Sequence, residues 1–388
     1  MRWLVSVKCF FILITVLHIN DVRCWQNNFT EISTTSEATT TSRRTVGTTQ
    51  KFQNRNMCQL SFTSVGGKRS CKGKLIFHEM FLNISDKWTP EKRFAGDPDY
   101  EFAMYEDNLI NLFVEQDNFL HIKPTFIEDK YGKDAVTNPK GFDFGSECTG
   151  FPGTLDCVQR PKAWQILPPV ISAQITTKNS FWFVYGVIEV RAKFPKGDWL
   201  YPEISLVSKD DVYGPGLESG RIRIAFSTGN EKLSTYVSGG CTLGYSSGAR
   251  KFGIRTFKVD KPLYEDFHTY KLQWKTDSLS LFIDNELYST IYPPQDGFGS
   301  EPSLELDPFT PGKWLEGTAL APFDQEMYIV IGVGVGGQMF HEELELEKPW
   351  VNDDPKAQLR FYQKSKEWKK TWSNESELIV DSVKVWAV

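Results

Sequence analysis

The sequence predicts an all-β fold, an antiparallel sandwich of jelly-roll type, and three observations carry that prediction. Segments rich in β-branched and aromatic residues recur from residue 75 to the end of the chain. Several of them alternate apolar and polar residues with period two. Helical periodicity is scarce, with one good candidate at PKAQLRFYQKSKEWKKTW, near residues 355–372. Many strands and almost no helices leave a sandwich or jelly roll as the layer architecture.

Taken in chain order, the first segment is a leader. Arg2 and Lys8 flank an apolar run, CFFILITVL, from Cys9 to Leu17. The run is shorter than the roughly 20 residues a membrane span needs and reads as a secretory signal over residues 1–24. Residues 25–57 form a Ser/Thr-rich arm too poor in apolar side chains to offset its ordering entropy, and the folded body is expected over 58–388. No later stretch is long and apolar enough for a span, so an extracellular protein is expected. Asn28, Asn83 and Asn374 each begin an Asn-x-Ser/Thr sequon, in keeping with secretion. Of the seven cysteines, Cys58 with Cys71 and Cys148 with Cys157 are short-loop disulfide candidates. Spacing does not fix connectivity. Cys241 is left over, either buried and inert or paired with Cys24.

Within the body, LIFHEMF and FLHIKPTFI open the strand series. In VIEVRAKF, Ile188, Val190, Ala192 and Phe194 share one face, and Glu189, Arg191 and Lys193 share the other. Tyr270, Leu272 and Trp274 alternate in TYKLQW. Asp284-Asn285 between SLSLFI and ELYSTI signals a hairpin turn. MYIVIGVGVGG and ELIVDSVKVWAV close the series.

Composition excludes some functions. The hydrophobic content of 40 % supports a sizeable core, and a net charge of −5 without basic blocks gives no footprint for nucleic acid or an anionic membrane. No Cys or His cluster has metal-ligand spacing, and no cofactor is expected. Aromatic residues make up 14 %, as both sandwich cores and sugar-stacking surfaces require.

The stretch from Ser180 to Asn230, SFWFVYGVIEVRAKFPKGDWLYPEISLVSKDDVYGPGLESGRIRIAFSTGN, resembles the laminarinase-like branch of glycoside hydrolase family 16. More narrowly it resembles the arthropod β-1,3-glucan recognition proteins, also called Gram-negative bacteria-binding proteins. CKGKLIFHEMF with Lys87-Trp88, IKPTFIEDKYG, FHTYKLQW, APFDQEMYIVIGVGVGG, KPW and VDSVKVWAV extend the resemblance across the body from Cys58 to Val388. It implies a jelly-roll sandwich with a glycan cleft on one sheet. It also implies a separate N-terminal glucan-binding module, for which the arm over 25–57 is too short, so binding is expected from the sandwich itself.

The family's active strand has the form Ser-Gly-Glu-x-Asp-x-x-Glu. Residues two apart on a strand share a face, and a β-bulge returns the last acid to that face. A retaining glycosidase then has two carboxyl groups roughly 5 Å apart. Here the same place reads Ser219-Gly220-Arg221-Ile222-Arg223-Ile224-Ala225-Phe226. Arg221 stands at the nucleophile position, Arg223 at the assisting position and Phe226 at the acid/base position. A guanidinium stays protonated and a phenyl ring has no proton to give.

The resemblance therefore implies a non-catalytic, secreted recognition protein of innate immunity. It would bind microbial β-1,3-glucan or a related wall polysaccharide and present it to a serine-protease cascade. The alternatives are an endo-β-1,3-glucanase using relocated carboxylates, with Glu203 and Glu218 the nearest acids, or an interaction scaffold without glycan binding. Glycan-contact candidates are Trp182, Tyr185, Arg191, Trp199, Tyr201 and Glu203. Arg221 and Arg223 either form a cationic floor or pair with Glu189, Glu203 or Glu218 as an inert sheet face. Phe226 either stacks on sugar or plugs the old cleft. Ser205 and Gly332 stand where the family often has Trp and Asn. His268 is expected to be structural, and His78, His121 and His341 are isolated in sequence.

Overall fold

The computed structural model describes residues 58–388 except 85 and 345. The leader, the arm, Cys24 and the Asn28 sequon lie outside the described residues.

Two large antiparallel sheets build the body. The first has ten strands and runs Gly253–Lys258, Tyr236–Thr242, Arg221–Phe226, Leu200–Ser208, Met327–Val335, Trp182–Val184, Leu60–Val65, Lys68–Cys71, with Gln174–Thr176 also pairing to Met327–Val335. The second has eight strands and centres on His268–Trp274, Gly186–Lys193 and Leu378–Trp386. One hydrophobic core lies between them. Ile188, Val190, Ala192, Tyr270, Leu272 and Trp274 are all fully buried there, so the period-two reading assigned the inward face correctly. They meet Ile222, Ile224, Ile329 and Ile331 of the first sheet in the same cluster. Phe183 of the first sheet packs edge-on against Trp274 of the second, centroids 5.6 Å apart.

The hairpin signal holds for a physical reason. Asp284 and Asn285 both take positive φ, 48° and 70°, as a two-residue turn matched to strand twist requires, and Asp and Asn tolerate that region without glycine. The helical candidate forms as Ala357–Gln363 and Ser365–Trp368, interrupted at Lys364. Both short-loop disulfides are present, Cys58–Cys71 and Cys148–Cys157. Cys241 is a buried free thiol, which burial pushes up to about 12 and so keeps protonated.

A small four-stranded sheet is the element that sequence patterning missed. It joins Arg93–Phe94, Ala103–Tyr105, Val170–Ser172 and Thr125–Phe126, and contains a parallel pair, Ala103–Tyr105 with Val170–Ser172. Strands of two or three residues are too short to show a period. The sheet has its own apolar cluster around Phe94, Met104, Ile127 and Ile171. It also carries the Asp97–Glu106 segment onto the outer face of the ten-stranded sheet. Backbone bonds fasten the segment there, Phe102 N–H to Val335 at 2.8 Å and Gln338 N–H to Asp99 at 2.7 Å. No helix among the described residues is long and apolar enough to cross a membrane.

Candidate functional site

Arg221, Arg223 and Phe226, the three positions that the resemblance aligns with the family's acids, lie on the outer face of the ten-stranded sheet, on the Arg221–Phe226 strand. Arg223 pairs with Gly240 and Phe226 with Ser238, so this strand holds one extra residue, a β-bulge. Ile224 and Ala225 consequently both face the core, each 1 % exposed, and Phe226 swings back to the outer face. The Arg223 guanidinium sits 5.9 Å from the Phe226 ring centroid. The expected backbone device is in place, with different chemistry hung on it.

The two arginines are held in an ion-pair network. Arg223 binds Glu203 Oε2 at 2.7 Å through Nη1 and Asp99 Oδ2 at 2.6 Å through Nη2. Arg221 reaches Glu203 Oε1 at 3.2 Å and Asp99 Oδ2 at 3.4 Å. Arg250 adds a third guanidinium, bound to Asp99 Oδ1 at 3.0 Å and to the Pro98 carbonyl. Asp99, Glu203 and Arg223 are 0 %, 1 % and 3 % exposed at their side chains, against 15 % for Arg221. Burial alone would raise the Asp99 carboxyl, but Arg223, Arg221 and Arg250 outweigh it and hold it far below the usual carboxylate range. Burial opposes the Arg223 charge, and Asp99 with Glu203 more than restores it. Glu101 is pushed up by burial and then by the Asp99 charge.

This arrangement decides between the readings left open by the sequence. Glu203 pairs with both arginines, whereas Glu189 pairs with Lys271 at 2.7 Å and Glu218 with Lys313 at 2.8 Å. Arg221 and Arg223 are therefore paired within the protein, and Arg250 makes the network three guanidiniums to two carboxylates. Asp99 and Arg250 were missed entirely. They lie far from Arg223 in sequence, and neither has a local signal.

The aromatic candidates are corrected by burial. Tyr201 is 1 % exposed. It pairs with Gly334, and a Cβ on that glycine would sit 2.2 Å from the ring, so the ring lies flat over the gap glycine leaves. Its hydroxyl donates to Glu101 at 3.1 Å, as does that of Tyr105 at 3.0 Å. Tyr185 has φ 57° and turns into the core against Trp274. Trp199 has φ 68°, is 5 % exposed, and packs edge-on against Trp350 and Phe340. Arg191 belongs to the other sheet, where it pairs with Asp381 at 3.0 Å and covers Phe267. Alternation shows which residues share a face, but not which sheet bears the site. Glu203 is on the outer face but sequestered by arginine. Of the glycan-contact candidates, only Trp182 keeps a partly open position on that face, with Lys209 4.6 Å from its ring. Phe226 is also half-buried. Gly332 lies opposite Glu203 and beneath Gln174, where a Cβ would come within 3.1 Å of that side chain.

Two histidines are less isolated than the sequence suggested. His341 is pulled down to about 4 by burial and by the charges of Lys251 and Arg250. His121, on the second sheet, lies between Asp117 at 3.2 Å and Glu377 at 3.3 Å. Burial opposes its charge, but the two carboxylates raise its affinity for a proton. Glu115, Asp117 and His121 bring three potential ligand atoms within 4.8 Å of one another, a cluster that sequence spacing did not show. His268 binds Asp284 at the hairpin turn, 2.6 Å away, as a structural role requires. Asn83 and Asn374 are exposed.

With the geometry in hand, similarity to known proteins is informative. Residues 167–313 match the Glycosyl hydrolases family 16 model. The β-1,3-glucan-binding protein of Tenebrio molitor is 45 % identical over 333 residues, covering 85 % of this chain and 69 % of that one. Gram-negative bacteria-binding protein 1 of Drosophila melanogaster is 32 % identical over 355 residues, covering 86 % and 69 %. The endo-β-1,3-glucanase of Pyrococcus furiosus superposes with a TM-score of 0.51 at 18 % identity, over 83 % of this chain and 96 % of that structure. That last likeness concerns the fold alone.

Proposed function

We propose, because the chain belongs to the family of β-1,3-glucan-binding and Gram-negative bacteria-binding proteins, that it is a glycan-recognition protein without hydrolytic activity. Its ligand on this reading is microbial β-1,3-glucan or a related wall polymer. The single observation that carries the non-catalytic part is the state of the outer face. Guanidiniums and a phenyl ring occupy the three positions, Asp99 and Glu203 are bound to arginine, and the third acid nearby, Glu101, is buried and bound by the Tyr105 and Tyr201 hydroxyls. Double displacement needs one carboxylate free to attack and a second acid to protonate the leaving oxygen. Glu203 is 2.7 Å from Arg223 and 1 % exposed, so it cannot approach an anomeric carbon without breaking that pair.

Secretion fits the leader-like run, the sequons and the two disulfides, which persist in an oxidising compartment. Delivery of a bound polymer to a serine-protease cascade completes the reading and rests on the family resemblance. The test has two arms. The protein should be retained on insoluble β-1,3-glucan, and incubation with soluble laminarin should release no reducing ends. Release of reducing sugar at a rate proportional to protein overturns the non-catalytic reading. Absence of retention on β-1,3-glucan, peptidoglycan and lipopolysaccharide alike overturns glycan recognition.

A further inference from the structure

The ten-stranded sheet offers a second concavity, away from Arg221, Arg223 and Phe226. A cleft of about 870 Å³ opens at the strand ends, between the Gly197–Trp199 approach to one strand, the Gly229–Lys232 turn after another, and the helical segment from Lys364 to Ser373. We propose that this cleft, rather than the centre of the outer face, holds a neutral saccharide segment of the bound polymer. The inference rests on the glycan-recognition reading and locates its site.

Three features point there. Four lysines and four acidic side chains line the cleft, so their formal charges cancel, which favours a neutral polyhydroxylated ligand over an anionic one. The walls are built rather than loose. Asp198 N–H donates to Thr371 Oγ1 at 2.8 Å, Trp372 Nε1 donates to the Asp198 carbonyl at 2.9 Å, and Asn230 Nδ2 donates to Asp198 Oδ1 at 3.0 Å. Asn230 also accepts from Trp199 N–H at 3.1 Å. Trp199 and Asn230, both buried, hold this wall rigid, and the exposed polar side chains at its rim supply the donors and acceptors that a sugar's hydroxyls require. Lastly, the rim is accessible. Glu231, Glu347 and Lys370 are exposed, and neither Glu347 nor Lys370 has an ion-pair partner among the described residues. At the centre of the outer face, by contrast, the charged side chains are already engaged with one another.

The experiment compares the intact chain with three variants on insoluble β-1,3-glucan, with laminarihexaose as the soluble competitor. One variant combines Glu231→Ala, Glu347→Ala and Lys370→Ala. A second, Ser373→Trp, adds bulk to an exposed position of the cleft lining. The third, Trp182→Ala with Tyr328→Ala, alters the partly open aromatic pair on the outer face. Thermal unfolding confirms that each is folded. Half-saturation should rise at least about tenfold for both cleft variants and stay within about twofold for the outer-face variant. Unchanged binding by both folded cleft variants overturns the location, whatever the outer-face variant does, and leaves the family reading standing. Failure of the intact chain to bind defeats the glycan reading itself, and the location with it.

Discussion

The centre of the outer face and the cleft at its strand ends both gather acidic and basic side chains, but arginines at the centre are buried in ion pairs and lysines in the cleft reach an open rim. At the centre, Asp99, Glu203, Arg221, Arg223 and Arg250 are covered by the Asp97–Glu106 segment and satisfy one another. In the cleft, lysines and glutamates stand at an open rim. The difference teaches that a charge on a sheet face becomes structural once a neighbouring segment brings its counter-charge and excludes water. A buried pair contributes little net stability when formed but is costly to break. An exposed charge costs little either way and stays available to a ligand.

The contrast can be broken most directly at Asp99. Asp99→Ala leaves Arg223 and Arg250 short of a buried partner, and equilibrium denaturation should show a loss of roughly 3–5 kcal/mol. A loss below about 1 kcal/mol would mean that water already reaches the network. Trp199→Ala should cost a similar amount, roughly 3–5 kcal/mol, through the cavity left against Trp350 and Phe340. That result would separate the structural wall of the cleft from its rim. Arg221→Ala should cost less, about 1–2 kcal/mol, because this side chain is partly solvated and its contacts are longer.

His341 sharpens the comparison through pH. Its folded value of about 4 lies below the unfolded value of about 6.5, so the unfolded chain binds the extra proton first. The stability it contributes is complete above about pH 6.5 and is lost as pH falls toward 4. Denaturation across that window should show a shallower acid slope for His341→Asn than for the intact chain. The smallest effect belongs to the rim. Glu347→Ala and Lys370→Ala should each leave stability within about 0.5 kcal/mol, even where they weaken glycan retention.

Much of the frame was legible because its signals are local. Alternation in VIEVRAKF and TYKLQW gave the inward faces, Asp284-Asn285 gave a turn, and the cysteine spacings suggested two pairs that the fold forms. The Arg221–Phe226 strand and its bulge could be placed from the resemblance. The contact residues were read less well. Tyr185 and Trp199 turn inward through positive φ, which no neighbour in sequence announces, and Arg191 lies on the opposite sheet.

The sequence by itself determined the sandwich and the strand faces, and it places Arg221, Arg223 and Phe226 together on one strand. Only the tertiary structure decided what those arginines do. Their main partner, Asp99, is 124 residues from Arg223 and arrives on a small sheet whose strands are too short to show a period. Periodicity reports which way a side chain points from its own strand. Which charge it meets depends on the packing of distant segments, and that packing gave the arginines carboxylate partners within the protein.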